Sequence, residues 1–202
     1  RVAGFHTRNI VHAAHEYIQQ KALDEYFCDG LFISPVVGPK RKNDFKNEPV
    51  LMAYQRMIEL NLYPKNRVLI GAFFSFSRYA GPREAVFTAI CRKNYGCSHF
   101  IVGRDHTGVN GFYPKEANIR FFEEVGDIGI KPIFFDEAAY CDKCEAMRLS
   151  CEHPPSCIHP VSGTLIRDFL GKNESPPDWM MQKEIGDMLI EMIKRREGIF
   201  IS

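Results

Sequence analysis

Short apolar runs alternate along the first 135 residues with longer segments whose apolar residues recur at helical spacing. Runs of this kind predict buried strands, and the segments between them predict helices that pack on a sheet. The predicted strands are 2–5, 30–35, 67–73, 98–102 and 131–135, and the predicted helices are 11–27, 49–60, 82–95 and 114–124. The alternation is typical of βαβ units, so we predict an α/β fold with a Rossmann-like, doubly wound, mostly parallel sheet of five strands.

Beyond residue 140 the pattern changes to a cysteine-bearing loop, a short helix after 162–164, a polar Pro-rich break at 172–177 and a last helix to about 196. We therefore expect a catalytic domain over 1–140 and a small portion made of the loop and helices over 141–202. The chain starts at Arg1 and enters a strand almost at once. We take it as a piece of a longer protein whose N-terminal part is missing.

Composition narrows the function classes. Of the 202 residues 45% are hydrophobic and 25% are charged, as in ordinary globular domains, and the formal net charge is +1. So small a net charge does not indicate a nucleic-acid or membrane partner, and no apolar run approaches the roughly 20 residues of a membrane span. No secretory signal pattern is visible. We expect a cytoplasmic protein with no nucleic-acid or membrane partner.

The first string that carries chemistry runs from His6 to His15, directly after the first predicted strand. His12 and His15 share a face at the start of a helix, where unpaired backbone N–H groups favour phosphate. Arg8 and Asn9 precede them, and a guanidinium fork matches tetrahedral oxyanions. A zinc protease is excluded, because its signature needs two His four residues apart with Glu between them. Two histidines on a surface helix without a role remain the alternative.

The second string, Gly103-Arg104-Asp105-His106-Thr107-Gly108, follows the fourth predicted strand. Ligands of open parallel sheets bind at the carboxyl ends of the strands. We therefore expect both strings to border one site that holds a nucleoside triphosphate against a small anionic acceptor. For Arg104 and Asp105 a structural ion pair remains the alternative.

Four of the seven cysteines lie close together in the chain and indicate a metal site. A C-x-x-C turn supplies two ligands from one side, and zinc takes four in a tetrahedron. Our first choice of ligands is Cys141, Cys144, Cys151 and Cys157, and His153 or His159 could replace either of the last two. Four protein ligands leave no open position, so this zinc would be structural. Reduced thiols without a metal are the alternative.

Together these segments resemble one family. The pattern Arg8-Asn9-x-Val-His12-x-x-His15 is similar to the Arg-Asn-Pro-x-His-x-x-His motif of ATP sulfurylases (sulfate adenylyltransferases), a form of the nucleotidylyltransferase superfamily signature. Segments 79–85, 92–97, 100–106 and 162–167 also resemble that family. The resemblance covers the whole chain, and some bacterial members carry a similar zinc loop.

The resemblance implies adenylyl transfer from ATP to sulfate, giving adenosine 5′-phosphosulfate and pyrophosphate, or the reverse. It implies that His12 and His15 hold the phosphates and stabilise the leaving pyrophosphate, that Asn9 positions the triphosphate, and that Arg8 binds sulfate. The implied substrate-contacting residues are His6, Thr7, Arg8, Asn9, Gly103, Arg104, Asp105, His106, Thr107, Gly108, Val161 and Ser162. It further implies Mg²⁺ arriving with ATP, a preceding β-rich domain and a homo-oligomer, expected to be a dimer.

Several positions depart from the family pattern. Position 6 is usually a Gln that helps to bind sulfate, and here it is His6. Ile10 replaces a common Pro, Thr107 a usual Ala or Pro, and Asn110 a usual Gly, while Ser77 replaces a larger apolar residue. These changes fall on or near the expected acceptor side. Two alternatives therefore stay open: a nucleotidyltransferase of the same superfamily acting on another oxyanion, such as a phosphonate or phosphate, and a non-catalytic module that binds ATP.

Overall fold

The structure is a computed structural model that describes residues 1–104, 106, 111–114 and 116–201. Within these residues the strands are β1 (Val2–Thr7), β2 (Gly30–Pro35), β3 (Val68–Ile70), β4 (His99–Val102), β5 (Lys131–Phe134), β6 (Ala139–Cys141), β7 (Ala146–Arg148) and β8 (Ile158–Pro160). The α-helices are α1 (Ala13–Asp24), α2 (Asn47–Glu59), α3 (Pro82–Asn94), α4 (Ala117–Val125), α5 (Gly163–Gly171) and α6 (Lys183–Lys194).

The chain divides into two compact units. The first comprises Arg1–Thr7, Gln19–Pro39 and Pro64–Asp136, and the second comprises Arg8–Ile18, Lys40–Tyr63 and Glu137–Ser202. The proposed division into a catalytic domain over 1–140 and a smaller portion over 141–202 stays a prediction, since compactness alone does not assign functional domains.

The first unit contains the predicted five-stranded sheet. Its strand order is β3-β2-β1-β4-β5, and every neighbouring pair is parallel, which confirms the predicted α/β fold. The central strands are buried, with Ala3, Leu31, Ile33 and Phe100 at most 1% exposed. Strands covered on both faces need continuous apolar runs, which is why the sequence pattern identified them.

The carboxyl ends of β1 and β4 lie where the strand order of the sheet reverses direction. The chain runs outward from β1 through β2 to β3, and then returns to the other side of β1 for β4. The crevice at such a reversal is where open α/β sheets bind ligands. His6 lies near the end of β1, in register with Ser34 of β2, and Gly103 directly follows β4.

The second unit holds α2, α5, α6 and a three-stranded antiparallel sheet in the order β7-β6-β8. The predicted C-terminal helices are present, and α6 buries Ile185, Leu189 and Met192 on one face. The small sheet was not predicted, because three-residue strands inside a cysteine-bearing segment give no readable alternation. Among the described residues, no helix combines the length and apolar character needed to cross a membrane.

Gly4 tests the packing between β1 and α3. A Cβ at Gly4 would lie 2.8 Å from Cγ of Arg92, 2.9 Å from its Cβ and 3.3 Å from Sγ of Cys97. We expect Gly4→Ala to lower the free energy of unfolding by about 1–3 kcal/mol, because the helix must move outward. Urea denaturation measures the change. Gly171→Ala is the control, since its Cβ meets nothing within 4 Å. Equal stability of the two variants would contradict this account of the packing.

Candidate active site

In the first unit, His6 is held by a buried arginine. Nη2 of Arg92 lies 2.9 Å from Nδ1 of His6, and it also contacts the carbonyl oxygen of Ser34 at 3.1 Å and its Oγ at 2.9 Å. The guanidinium carbon stacks 4.3 Å from the ring centroid of Phe73. Burial lowers the pKa of Arg92 to about 10, which leaves it charged at neutral pH.

His106 of the second string lies beside His6 of the first. Their ring centroids are 5.6 Å apart, and the Phe100 ring lies 5.3 Å from that of His106. Oγ1 of Thr88, on α3, is 3.4 Å from Nε2 of His106. The structure thus brings one histidine from each string together at the reversal between β1 and β4.

The turn after β4 is hydrogen-bonded to α4. Nδ2 of Asn118 donates to the carbonyl oxygens of Gly103 and Arg104 at 3.4 Å and 3.2 Å. A cavity of 170 Å³ borders these two residues. Thr7 is buried at the end of β1, and its carbonyl accepts a hydrogen bond from the backbone of Val36 at 2.8 Å. The predicted site residues Asp105, Thr107 and Gly108 lie outside the described residues, as does Asn110.

In the second unit, His12 and His15 form a stacked pair at the start of α1. Their ring centroids are 3.6 Å apart and their planes are inclined by 19°. The backbone N–H of His15 donates to Nδ1 of His12 at 3.4 Å, so His12 caps the helix in the way Ser or Asn usually does. Because its Nδ1 accepts this bond, the neutral imidazole of His12 carries its proton on Nε2.

Burial keeps both imidazoles uncharged. Desolvation, together with the charge of its neighbour, lowers the pKa of His12 well below its usual value. Desolvation also lowers the pKa of His15 to about 4, against an opposing hydrogen bond with the backbone of Ile10. At neutral pH the pair therefore carries no positive charge: the single N–H of His15 is engaged with the backbone of Ile10, and His12 offers its Nε2–H as a donor.

Positive charge in the second unit comes from a cluster around Asp44, whose side chain is 12% exposed. Nε of Arg8 and Nη1 of Arg167 each lie 3.9 Å from a carboxylate oxygen of Asp44. Nη1 of Arg167 also donates to Oδ1 of Asn9 at 3.2 Å. Burial lowers the pKa of Lys40 to about 8, while Asp44 opposes that shift. Three cations around one carboxylate leave a net positive site that suits an anion.

Val161 and Ser162 lie at the entry to α5. Val161 is buried, and Oγ of Ser162 accepts from the backbone N–H of Leu165 at 3.3 Å as the helix cap. The next residue, Gly163, has no room for a side chain, because a Cβ there would lie 2.9 Å from Cγ of Asn9. The glycine therefore allows α5 to approach the Arg8-Asn9 turn.

Sequence reasoning had assigned no role to Arg92, Ser34, Asp44 or Arg167. Arg92 and Arg167 stand in segments that resemble the family, so a signal for them existed. Nothing in the sequence distinguished Asp44 or Ser34.

The cysteine-bearing segment assembles four ligand atoms: Sγ of Cys141, Cys144 and Cys151 and Nδ1 of His153 all lie within 4.8 Å of one another. Five of their separations run from 3.2 Å to 3.7 Å. This cluster could hold a metal ion. Cys157, our first choice for the fourth ligand, is not part of it, and His153 stands in its place. His159 instead pairs with Asp142 at 2.7 Å.

Comparison with known proteins identifies the family. The ATP-sulfurylase family model matches residues 1–192. The chain belongs to the ATP-sulfurylase family. The sulfate adenylyltransferase of Ignicoccus hospitalis is 44% identical over 192 residues, covering 94% of this chain and 50% of that protein. That of Thermococcus onnurineus is 44% identical over 190 residues, covering 93% and 49%. The chain thus spans about half the length of the curated relatives it matches.

Two solved structures of much lower sequence identity share only the fold with this chain. A hexameric APS kinase from Thiobacillus denitrificans superposes with a TM-score of 0.72 at 18% identity, covering 95% of this chain and 36% of that one. A nicotinic acid mononucleotide adenylyltransferase from Plasmodium falciparum, complexed with NaAD, gives 0.58 at 12% identity, covering 96% and 95%. The fold of this chain therefore also occurs in proteins that carry other names than its relatives do.

The neutral histidine pair predicts how stability depends on pH. An unfolded imidazole has a pKa near 6.5, whereas that of folded His15 is about 4. Between these values the unfolded state binds more protons than the folded state. The contribution of the neutral imidazole to stability is therefore fully present above pH 6.5 and is lost as the pH falls towards 4. Each such imidazole contributes a slope of at most about 1.4 kcal/mol per pH unit.

Urea unfolding of wild type and His15→Gln across this pH range measures the effect. The variant should show a shallower loss of stability, whatever its stability at pH 7.5. An unchanged slope would mean that folding does not lower the pKa of His15.

Proposed function

We propose that the protein transfers the adenylyl group of ATP to sulfate, forming adenosine 5′-phosphosulfate and pyrophosphate, or runs the reverse reaction. The observation that carries the proposal is the stacked His12–His15 pair next to Arg8 and Asn9, in a chain of the ATP-sulfurylase family. In the forward direction a sulfate oxygen bonds to the α-phosphorus. The bond from that phosphorus to the bridging oxygen breaks, and pyrophosphate leaves with the electron pair.

His12 and His15 would stabilise the leaving pyrophosphate. Negative charge grows on the bridging oxygen as its bond to phosphorus breaks, and preorganised N–H donors stabilise such charge. In His12 the donor is Nε2–H, because Nδ1 accepts the backbone bond from His15. The ring stacking and the helix cap fix both imidazoles before substrate arrives, so little reorganisation is needed during reaction.

Arg8 would bind sulfate, and Asn9 would position the triphosphate. Asp44 would act on both through its neighbours, since it contacts Arg8 and also Arg167, which holds Oδ1 of Asn9. For the nucleotide, the residues that family resemblance assigns are Gly103, Arg104, His106, Val161 and Ser162, and Thr7 flanks the acceptor.

Mg²⁺ would arrive with ATP and partly neutralise its triphosphate. Among the described residues the metal-ligand group that the structure assembles is the Cys/His cluster, and its thiols do not suit a hard cation. We therefore assign no protein ligands to Mg²⁺.

Cys141, Cys144, Cys151 and His153 would hold a structural Zn²⁺. A tetrahedron with Zn–S bonds of 2.3 Å has edges of about 3.8 Å, close to the separations of 3.2–3.7 Å in this cluster. The four ligands fill the tetrahedron, so the ion would join β6 to the loop beyond β7 rather than bind substrate. The expected dimer, the cytoplasmic location and the lack of nucleic-acid or membrane partners stay predictions.

Pyrophosphate release tests the proposed reaction. With ATP and Mg²⁺, the purified protein should release pyrophosphate when sulfate is added, and phosphate or phosphonates should not replace sulfate. ATP binding without turnover of any oxyanion would support a binding module. Turnover with a phosphonate but not with sulfate would replace the acceptor and retain the transfer.

His12→Asn separates chemistry from folding in the same assay. Asn still caps α1 but lacks the imidazole N–H, so kcat should fall by about 100-fold or more while Tm changes little. His99→Asn, at the opposite end of β4, is the control and should keep wild-type turnover. Normal turnover in His12→Asn would show that His12 serves only as a cap.

Metal content tests the zinc site. Protein purified without chelator should hold about one zinc per chain, and removing it should lower Tm, since metal binding adds to folding free energy. Cys151→Ser and His153→Asn should lose the metal. Cys157→Ser, which lies outside the cluster, should keep it. Zinc retained by His153→Asn but lost by Cys157→Ser would reverse the ligand assignment.

A further inference from the structure

The contact between Arg92 and His6 is not explained by the roles proposed above. The Arg92 side chain is fully buried in α3, and its Nε and Nη1 make no hydrogen bond with the described residues. Among the residues that the structure describes, the groups that influence its charge are Cys91, Cys97 and Tyr95, with no carboxylate. A buried guanidinium without a carboxylate partner is costly, so a structural role in the core is a poor explanation for it.

The contact with Arg92 determines which nitrogen of His6 carries the proton. A guanidinium has five N–H groups and no acceptor, so it can only donate. Nδ1 of His6, 2.9 Å from Nη2, must therefore accept and carry no proton. The imidazole is then neutral, with its proton on Nε2. A second proton on Nδ1 would point at a positive charge and at another donor.

Such a histidine presents the same groups as the glutamine that the family usually has at this position. A glutamine side chain offers one carbonyl acceptor and an N–H donor. His6 accepts through Nδ1 and donates through Nε2, from a strand that fixes its backbone. The ring lies beside His106, with centroids 5.6 Å apart, at the end of β1 where ligands of this fold bind.

We propose that Arg92 is a positioning residue that holds His6 as a permanent Nε2–H donor for the oxyanion acceptor. This inference rests on the proposed function and deepens it, because it explains how a chain without the usual glutamine binds sulfate. The hydrogen bond from Arg92 also polarises the imidazole, which strengthens donation from Nε2.

Nitrogen NMR of the histidine side chains tests the pairing without any turnover. In the ¹⁵N-labelled chain, His6 should show an unprotonated Nδ1 and a protonated Nε2 at pH 7, and inorganic sulfate should shift the Nε2 resonance. The His6→Gln spectrum assigns the signals. A proton on Nδ1, or an Nε2 resonance that sulfate does not move, would overturn the inference.

Kinetics supply the second test. In Arg92→Met the buried charge is removed and an apolar chain of similar length fills its place, so folding should persist. KM for sulfate should rise about tenfold or more, the value of one hydrogen bond to a charged group, with little change in KM for ATP. Lys93→Met, at the exposed next position of α3, is the matched control and should behave as wild type.

His6→Gln completes the comparison. It should keep KM for sulfate within about threefold of wild type, because the amide restores both groups. An Arg92→Met variant with unchanged KM for sulfate, or one that raises both KM values equally, would overturn the positioning role. If wild type releases no pyrophosphate with any oxyanion, the proposed reaction fails, and the nitrogen shifts and their response to sulfate still decide the role of Arg92.

Discussion

The parallel pairing of β1 with β4 is the constraint on which the first unit depends. It fixes the reversal of strand order, and it brings His6 and His106 to one edge of the sheet. The pairing passes through Gly4, whose missing side chain leaves room for the stem of Arg92. A requirement of packing in the middle of β1 thus determines whether a guanidinium can reach the imidazole two residues further along. Fold and site are linked here by the same few atoms.

The second unit manages charge in two ways, and both suit a reaction between anions. The histidine pair is buried and neutral, so His12 contributes a fixed Nε2–H donor without the cost of desolvating a cation. The arginines supply permanent charge, and Asp44 restrains two of them from one side. Donors that are oriented before substrate binds stabilise the transition state more than mobile side chains of equal charge would.

The sequence predicted the elements with strong local signals and missed the contacts that join distant segments. Buried parallel strands are continuous apolar runs, so the five-stranded sheet was readable, although β3 is shorter than predicted. The strands β6, β7 and β8 have only three residues each and could not be predicted from the sequence. Spacing left the fourth metal ligand open among Cys157, His153 and His159. The partners of Arg92 stand 86 and 58 positions away in the chain, and a single sequence carries no sign of such pairings.

Family membership alone does not decide between oxyanions, but the tautomer that we propose for His6 favours sulfate. Under the proposed arrangement Nε2–H of His6 can only donate, because Nδ1 already accepts from Arg92. Sulfate at neutral pH has four acceptor oxygens and no proton. Monohydrogen phosphate carries an O–H that would need an acceptor, which this imidazole does not offer. Where such an O–H is buried without a partner, it costs about 1–3 kcal/mol, which is enough to discriminate by one or two orders of magnitude. Under the proposed function, replacing glutamine by a histidine fixed as a donor preserves this selectivity, because the imidazole has no acceptor left to offer a protonated rival.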